Sequence, residues 1–217
     1  MPAPRDLSDL PYAGHLVPLL RDLERADDLD TVHIDGRSYE GADLGGIRFL
    51  ESALTSVQFA AGRMRRARFN DVWMHTVRWV ATDLSETDWR DVEVTAGHFA
   101  GLELFSARLR RVVFRDCKFD SVNMRATTLH DVAFVDCLLR DVDFAGAGLQ
   151  DVSFPGADLD DVRFTKARMR NVDLRQVTSL GITDGFDALK GATVTSAQMV
   201  ELAPALARLV GLDVRDR

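Results

Sequence analysis

The chain has 217 residues, 46% hydrophobic and 28% charged, with a formal net charge of −7. That length and balance fit one water-soluble domain. No stretch approaches the roughly 20 consecutive apolar residues of a membrane-spanning helix.

The chain starts MPAPRDLSDLPYAG, which lacks a basic region leading into an apolar run. No secretory signal is read there, and a cytoplasmic location is the expectation. Residues 1–36 form an N-terminal segment. In it Leu16, Leu19, Leu20 and Leu23 mark a short amphipathic capping helix, with Pro18 in its first turn. The segment holds 3 basic and 8 acidic residues, and with them most of the net charge.

From Tyr39 to Leu174 a period of five takes over, in 28 consecutive pentapeptides without insertion or deletion. A helix repeats near 3.6 residues and a strand near 2, so neither alone explains it. One position in five is large and apolar: ten Phe, ten Leu, four Met, Trp79, Trp89, Tyr39 and Val94. The Phe set is Phe49, Phe59, Phe69, Phe99, Phe114, Phe119, Phe134, Phe144, Phe154 and Phe164. Two residues earlier the side chain is small in 25 of 28 units, with Arg37, Ile47 and Leu102 the exceptions. Residues two apart on an extended segment point to the same side, so both positions face inward. The other three residues turn the chain, and turns of one hand wrap it into stacked coils. A single unit cannot bury its own face, so stability comes from neighbour on neighbour. Phe114, Phe134 and Phe154 belong to one face in successive coils and should form a ladder. A charge at Phe134 should be costly, whereas Arg115 reads as an outward position tolerant of replacement.

With "ADL" at Ala42-Asp43-Leu44 and again at Ala157-Asp158-Leu159, the chain resembles the pentapeptide repeat proteins. The resemblance implies an all-β solenoid, a right-handed quadrilateral β-helix with four pentapeptides per coil. Repeats over 37–180 then give about seven coils with short helical caps at both ends, and a rod about 34 Å long at roughly 4.8 Å per stacked strand. The family's Asp or Asn before the central residue occurs in only seven of the 28 units, with Arg equally frequent.

Cys117 and Cys137 take the small inward position one coil apart. Backbones about 4.8 Å apart fall within disulfide range, but parallel stacked side chains point badly for a bridge, so two buried thiols are expected. The frame breaks at Ser179-Leu180, and residues 181–217 form a C-terminal helical cap. Thr195 with Gln198 is a capping box, Gly211 suits the stop, and Pro204 should kink or split the helix. Met199, Leu202, Leu206 and Leu209 line one stripe of it. In gyrase-interacting relatives such as the mycobacterial fluoroquinolone-resistance protein a similar helix is the dimer contact. Capping alone and capping with homodimerisation both stay open.

Nothing catalytic stands out: no P-loop, no Gly-rich dinucleotide turn, no HExxH and no GxSxG. His75, His98 and His130 fall on different columns of a four-faced coil, and His15 and His33 precede the repeats. No metal, cofactor or catalytic residue is expected. Outward positions sort by face. One carries Arg48, Arg68, Arg90, Arg108, Arg110, Arg168 and Arg170. Its acidic flanks should neutralise it, so direct nucleic-acid binding is not expected. A second has the outward apolar residues Trp73, Val113, Val135 and Pro155, where an isolated exposed tryptophan is the ordinary reading. A third, acidic surface holds Asp131, Asp136, Asp141, Asp143, Asp158, Asp160 and Asp161, with Asp151 among them, against Arg140.

The function expected is a non-enzymatic protein-binding module or scaffold. The alternative implied by the resemblance is a DNA-mimic modulator of DNA gyrase, a type II topoisomerase, protecting it from quinolones or a toxin. Summed over the repeats, 20 basic and 21 acidic residues leave the body near neutral, unlike duplex DNA.

Overall fold

The structure is a computed structural model and describes residues 5–213; the tips of both end segments, 1–4 and 214–217, lie outside the described residues. The opening stretch read for a secretory signal begins on those first four. From Asp28 onward, strands pair in parallel with residues 20 further along, as in the column Leu29, Phe49, Phe69, Trp89, Leu109, Leu129, Leu149 and Met169. Twenty residues per coil is four pentapeptides, hence four sides. Two of them continue as sheets through Ile34, Leu54, Met74 and Val94, and through Tyr39, Phe59, Trp79 and Phe99. The fourth side is held by isolated bridges such as Asp43 to Arg63 and Arg63 to Asp83.

The parallel solenoid makes about eight turns rather than seven. Leu29 and Ile34 extend two inward columns before the first motif recognisable in sequence. At the other end Ser179–Asp184 still pairs with Asp158–Arg163, through a register shift, and Ala192–Thr193 with Val172–Asp173. The pairing therefore overruns 37–180 on both sides, because backbone ladders tolerate an irregular residue that breaks a strict pentapeptide frame.

The interior is a solid stack of side chains. Phe114, Phe134 and Phe154 lie face to face at 5.2 and 5.1 Å, and Phe144 stacks on Phe164 at 5.3 Å. Trp79 sits between Phe59 and Phe99 at 5.4 and 5.5 Å. All ten repeat phenylalanines are buried, and Met169, near the C-terminal end, is the one large central residue left partly open. Cys117 and Cys137 are free, buried thiols; Cys117 and the burial together push the Cys137 thiol far above its ordinary range.

Every fifth residue from Ala26 to Asn171 turns a corner in the left-handed region: 24 are non-glycine, and Gly36, Gly41, Gly46, Gly101, Gly146 and Gly156 supply the rest. A side chain there costs about 1–2 kcal/mol, least for Asp, Asn and Gly. Each corner N–H is returned to the ladder, as when Asp116 N donates to Val135 O at 3.0 Å and Asp136 N to Pro155 O at 2.9 Å.

The N-terminal helix read from the leucine spacing does not form. Val17–Pro18 instead pairs with Val32–His33, and Leu19 N donates to His33 O at 2.9 Å. The exposed edge of the first coil offers these backbone groups partners that an isolated helical turn would lack, and Pro18 has no N–H to lose at an edge. Leu23 is buried against the core, whereas Leu20 is 86% exposed. Among the described residues, the only helices before the coils are short 3-10 turns at Leu7–Asp9 and Ala13–His15.

At the other end one α-helix, α1, spans Ser196–Leu209, capped by the Thr195–Gln198 box; Pro204 lies within it and does not split it. Gln198 Nε2 donates to Leu174 O at 2.8 Å, and Leu202 is buried, so the helix lies on the last coil.

Candidate interaction surfaces

A rod with a filled core can act only through its outer faces, and the four differ. The face with outward Ala53, Trp73, Glu93 and Val113 corrects two expectations. Trp73 is not exposed: residues 5–16 cross the rod as a strap, and Leu10, Tyr12, Ala53 and Trp73 pack into a second small core with Leu7, Ala13 and Leu16 at its margin. Trp73 Nε1 donates to Arg5 O at 3.1 Å, and the Arg5 guanidinium meets Glu93 at 2.7 Å. Arg115 is not solvated either. It is buried with its guanidinium 3.7 Å from Glu93, so an outward direction is not the same as contact with water. Burial raises the Tyr12 hydroxyl to about 12. Beside the strap Arg5, Pro11, Tyr12 and His15 close a cleft of about 230 Å³ on the corner acids Glu51, Asp71 and Asp91.

The arginine face is real and orderly. Arg48 is paired with Arg68 in register, Arg90 with Arg110, and Arg110 with His130. Arg48 and Arg108 reach Asp28 and Asp88 at 3.6 Å each.

The acidic residues are less concentrated than their sequence suggests. Asp136, Asp158, Asp160, Asp141 and Asp161 surround the side formed by Leu138–Asp143 and Asp158–Arg163, with Asp143 just around the corner. Asp131 lies on another corner. Arg163 from the adjoining side bonds Asp141 at 2.6 Å and lies 3.4 Å from Asp161, while Arg140 bonds Asp160 at 3.1 Å. The Arg163 contact holds the Asp141 carboxyl below its ordinary value. Asp131, Asp136, Asp141, Asp151 and Asp161 are left-handed corner residues, so backbone geometry alone gives a reason for an acid there.

Of the four residues in the stripe of α1, Leu202 is buried on its own chain and Leu206 half-buried. Met199 and Leu209 are exposed, together with Val200, Val210 and Leu212. Among the described residues no group of three His, Cys, Asp or Glu side chains could hold a metal ion. No helix among them is long and apolar enough to cross a membrane.

The strap was missed in sequence because Leu7, Leu10, Tyr12 and Leu16 follow no single period. The usable signal was the pairing of those apolar residues with an outward tryptophan that had nothing else to cover it.

These features define a four-sided parallel β-solenoid whose surfaces, rather than a pocket, are available for contact. The pentapeptide repeat region description matches residues 87–164 and 107–183, within the coils described above. Among solved structures the chain is similar to full-length QnrB1, a plasmid-mediated fluoroquinolone resistance protein, at 16% identity and TM-score 0.34, covering 87% of this chain and 94% of that one. It is also similar to the pentapeptide repeat protein Rfr23 of the cyanobacterium Cyanothece 51142, at 12% identity and TM-score 0.26, covering 58% and 89%. A third is a pentapeptide repeat protein of the Arabidopsis thaliana thylakoid lumen, at 16% identity and TM-score 0.27, covering 76% of each. No curated protein sequence matches the chain.

Proposed function

We propose that the protein is a non-enzymatic, cytoplasmic protein-binding scaffold. The observation that carries this reading is the core: stacked Phe, Leu and Trp columns fill the interior, leaving flat, chemically distinct sides as the means of recognition. Photo-crosslinking residues placed at Arg110, Val135, Asp160 and Glu103, one per side, test it in cells. A scaffold yields one recurrent protein partner from one side. Recovery of no protein from any side would refute it.

A second reading, action on DNA gyrase, is favoured by the acids around Leu138–Asp143 and Asp158–Arg163. Replacing Asp136, Asp141, Asp158 and Asp160 by Asn should weaken an effect on gyrase supercoiling while sparing the fold. Protection that survived these changes but vanished on altering Arg108 and Arg110 would overturn it. Homodimerisation through the exposed apolar residues of α1 joins this proposal. Met199→Glu with Leu209→Glu should convert a dimer to a monomer in light scattering.

A further inference from the structure

Most arginines of this protein are matched by an acid, but on the arginine face Arg68, Arg90, Arg110, Arg168 and Arg170 are exposed, and their side chains form no hydrogen bond or ion pair among the described residues. Four of them, Arg90, Arg110, Arg168 and Arg170, border a trough together with Arg108. One hollow of about 530 Å³ lies against Arg90, Arg108 and Arg110, with Asp88 beside Arg108 at 3.6 Å, and a second of about 240 Å³ against Arg168 and Arg170. Thr128 and His130 line both, so the two are continuous. The floor between them is low because Gly148, which has no side chain, stands in register with Thr128 on one side and Arg168 on the other.

The trough thus has a pair of guanidinium groups at each end, Arg108 with Arg110 and Arg168 with Arg170. Three coils separate them, about 14 Å at the spacing of parallel strands. An extended chain rises about 3.4 Å per residue, so side chains four apart span the same distance and point the same way. Guanidinium groups bind carboxylates through paired hydrogen bonds.

We propose that this trough seats an extended acidic segment of a partner protein, with carboxylates four residues apart held by the two arginine pairs. The proposal rests on the protein-binding reading above and names the surface and the partner chemistry. A peptide fits better than a nucleic acid because the trough is one three-residue strand wide, about 10 Å. A duplex, bearing a phosphate about every 1.7 Å along its axis, would meet the neighbouring corner acids Asp91, Asp131 and Asp151.

Fluorescence anisotropy of the full chain tests this with a labelled ten-residue peptide carrying glutamates at positions three and seven. The comparison peptide has the same glutamates adjacent. The spaced peptide should bind more tightly, and binding should weaken as salt rises from about 50 to 200 mM. Arg110→Gln combined with Arg170→Gln should weaken it about tenfold, whereas Arg78→Gln, on another side, should leave it unchanged; circular dichroism checks that each variant keeps its fold. No binding of the spaced peptide, equal binding of the two peptides, or tighter binding of a DNA duplex would each overturn the proposal. A partner crosslinked at Val135 without peptide binding at the trough would remove this inference and leave the scaffold reading standing.

Discussion

Phe134 is the sharpest place to test what holds the rod together. Its side chain is 0% exposed and stacks between Phe114 at 5.2 Å and Phe154 at 5.1 Å, with Phe119 edge-on at 5.6 Å. Phe134→Ala removes the ring and leaves a cavity that coils above and below cannot close, since each is fixed by its own ladder. Truncating a buried phenylalanine costs about 3–5 kcal/mol. Two stacked neighbours and two edge contacts, the second from Phe144 at 6.5 Å, each worth about 0.5–1.5 kcal/mol beyond buried area, place this site at the upper end. In a chain of this size each kcal/mol moves the midpoint by about 2–4 °C, so the melting temperature should fall by about 10–20 °C. Thermal unfolding followed by circular dichroism reads this directly. Arg78→Ala serves as the control, being an exposed outward residue whose side chain makes no hydrogen bond or ion pair among the described residues. A Phe134→Ala midpoint within about 2 °C of that control would refute the reasoning, because the column would then not be carrying the stability.

Arg115→Asp should destabilise by about 3–5 kcal/mol, because it replaces the buried partner of Glu93 with a second acid; a melting curve unchanged from wild type would restore the solvated reading. Trp73→Ala should cost about 3 kcal/mol by emptying the core beneath the strap, and limited proteolysis should then cut within residues 5–16 far faster than in the wild type. Asp91 and Asp141 have folded values held down by Arg111 and Arg163. Their contribution is therefore present above the ordinary carboxylate value of about 3.9 and lost as pH falls through the lower folded values. Melting temperatures measured across pH 2–6 (about the carboxylate range) should decline on the acid side, slightly less steeply in Arg163→Gln, since both groups are partly solvated. At the left-handed corner Asp136, replacement by Asn should change the midpoint little, whereas Asp136→Val should lower stability by about 1–2 kcal/mol. A larger loss from Asn than from Val would contradict the backbone explanation of the corner acids.

The repeat body was legible because its determinant is one-dimensional. A large residue at every fifth position and a small one two earlier force a coil whatever the outward residues are. Neither end obeys that rule. Leu29 fills an inward column with Asp27, not a small residue, two positions before it, and Ser179–Asp184 joins the ladder through a register shift. Outward positions were legible in direction but not in environment. Arg115 and Trp73 do point away from the core, yet a strap from far earlier in the chain and a neighbouring acid remove them from water. Local spacing holds no record of such a contact between residues about 60 apart. Arg163 shows the same limit in charge: it lies outside the acidic window in sequence but folds onto Asp141 and Asp161.

The corners bear on function as well as on fold. Thirty successive turns need a residue that accepts positive φ. Asp and Asn are the non-glycine residues that do so at least cost, through local hydrogen bonds to the backbone. A solenoid of this kind therefore accumulates carboxylates along its edges even when no partner selects them. Here some are then neutralised across coils, Asp91 by Arg111 and Asp141 by Arg163. Edge acidity is thus weak evidence for mimicry of a polyanion, since the backbone alone produces it. The flat sides are different. Their outward residues sit in ordinary extended conformation, where any side chain is tolerated, so the backbone does not explain what stands there. Five exposed arginines on one side whose side chains form no ion pair among the described residues, placed in two groups across a glycine, are a choice that the coil did not impose. It is on that side, and not along the acidic edges, that the proposed partner is to be sought.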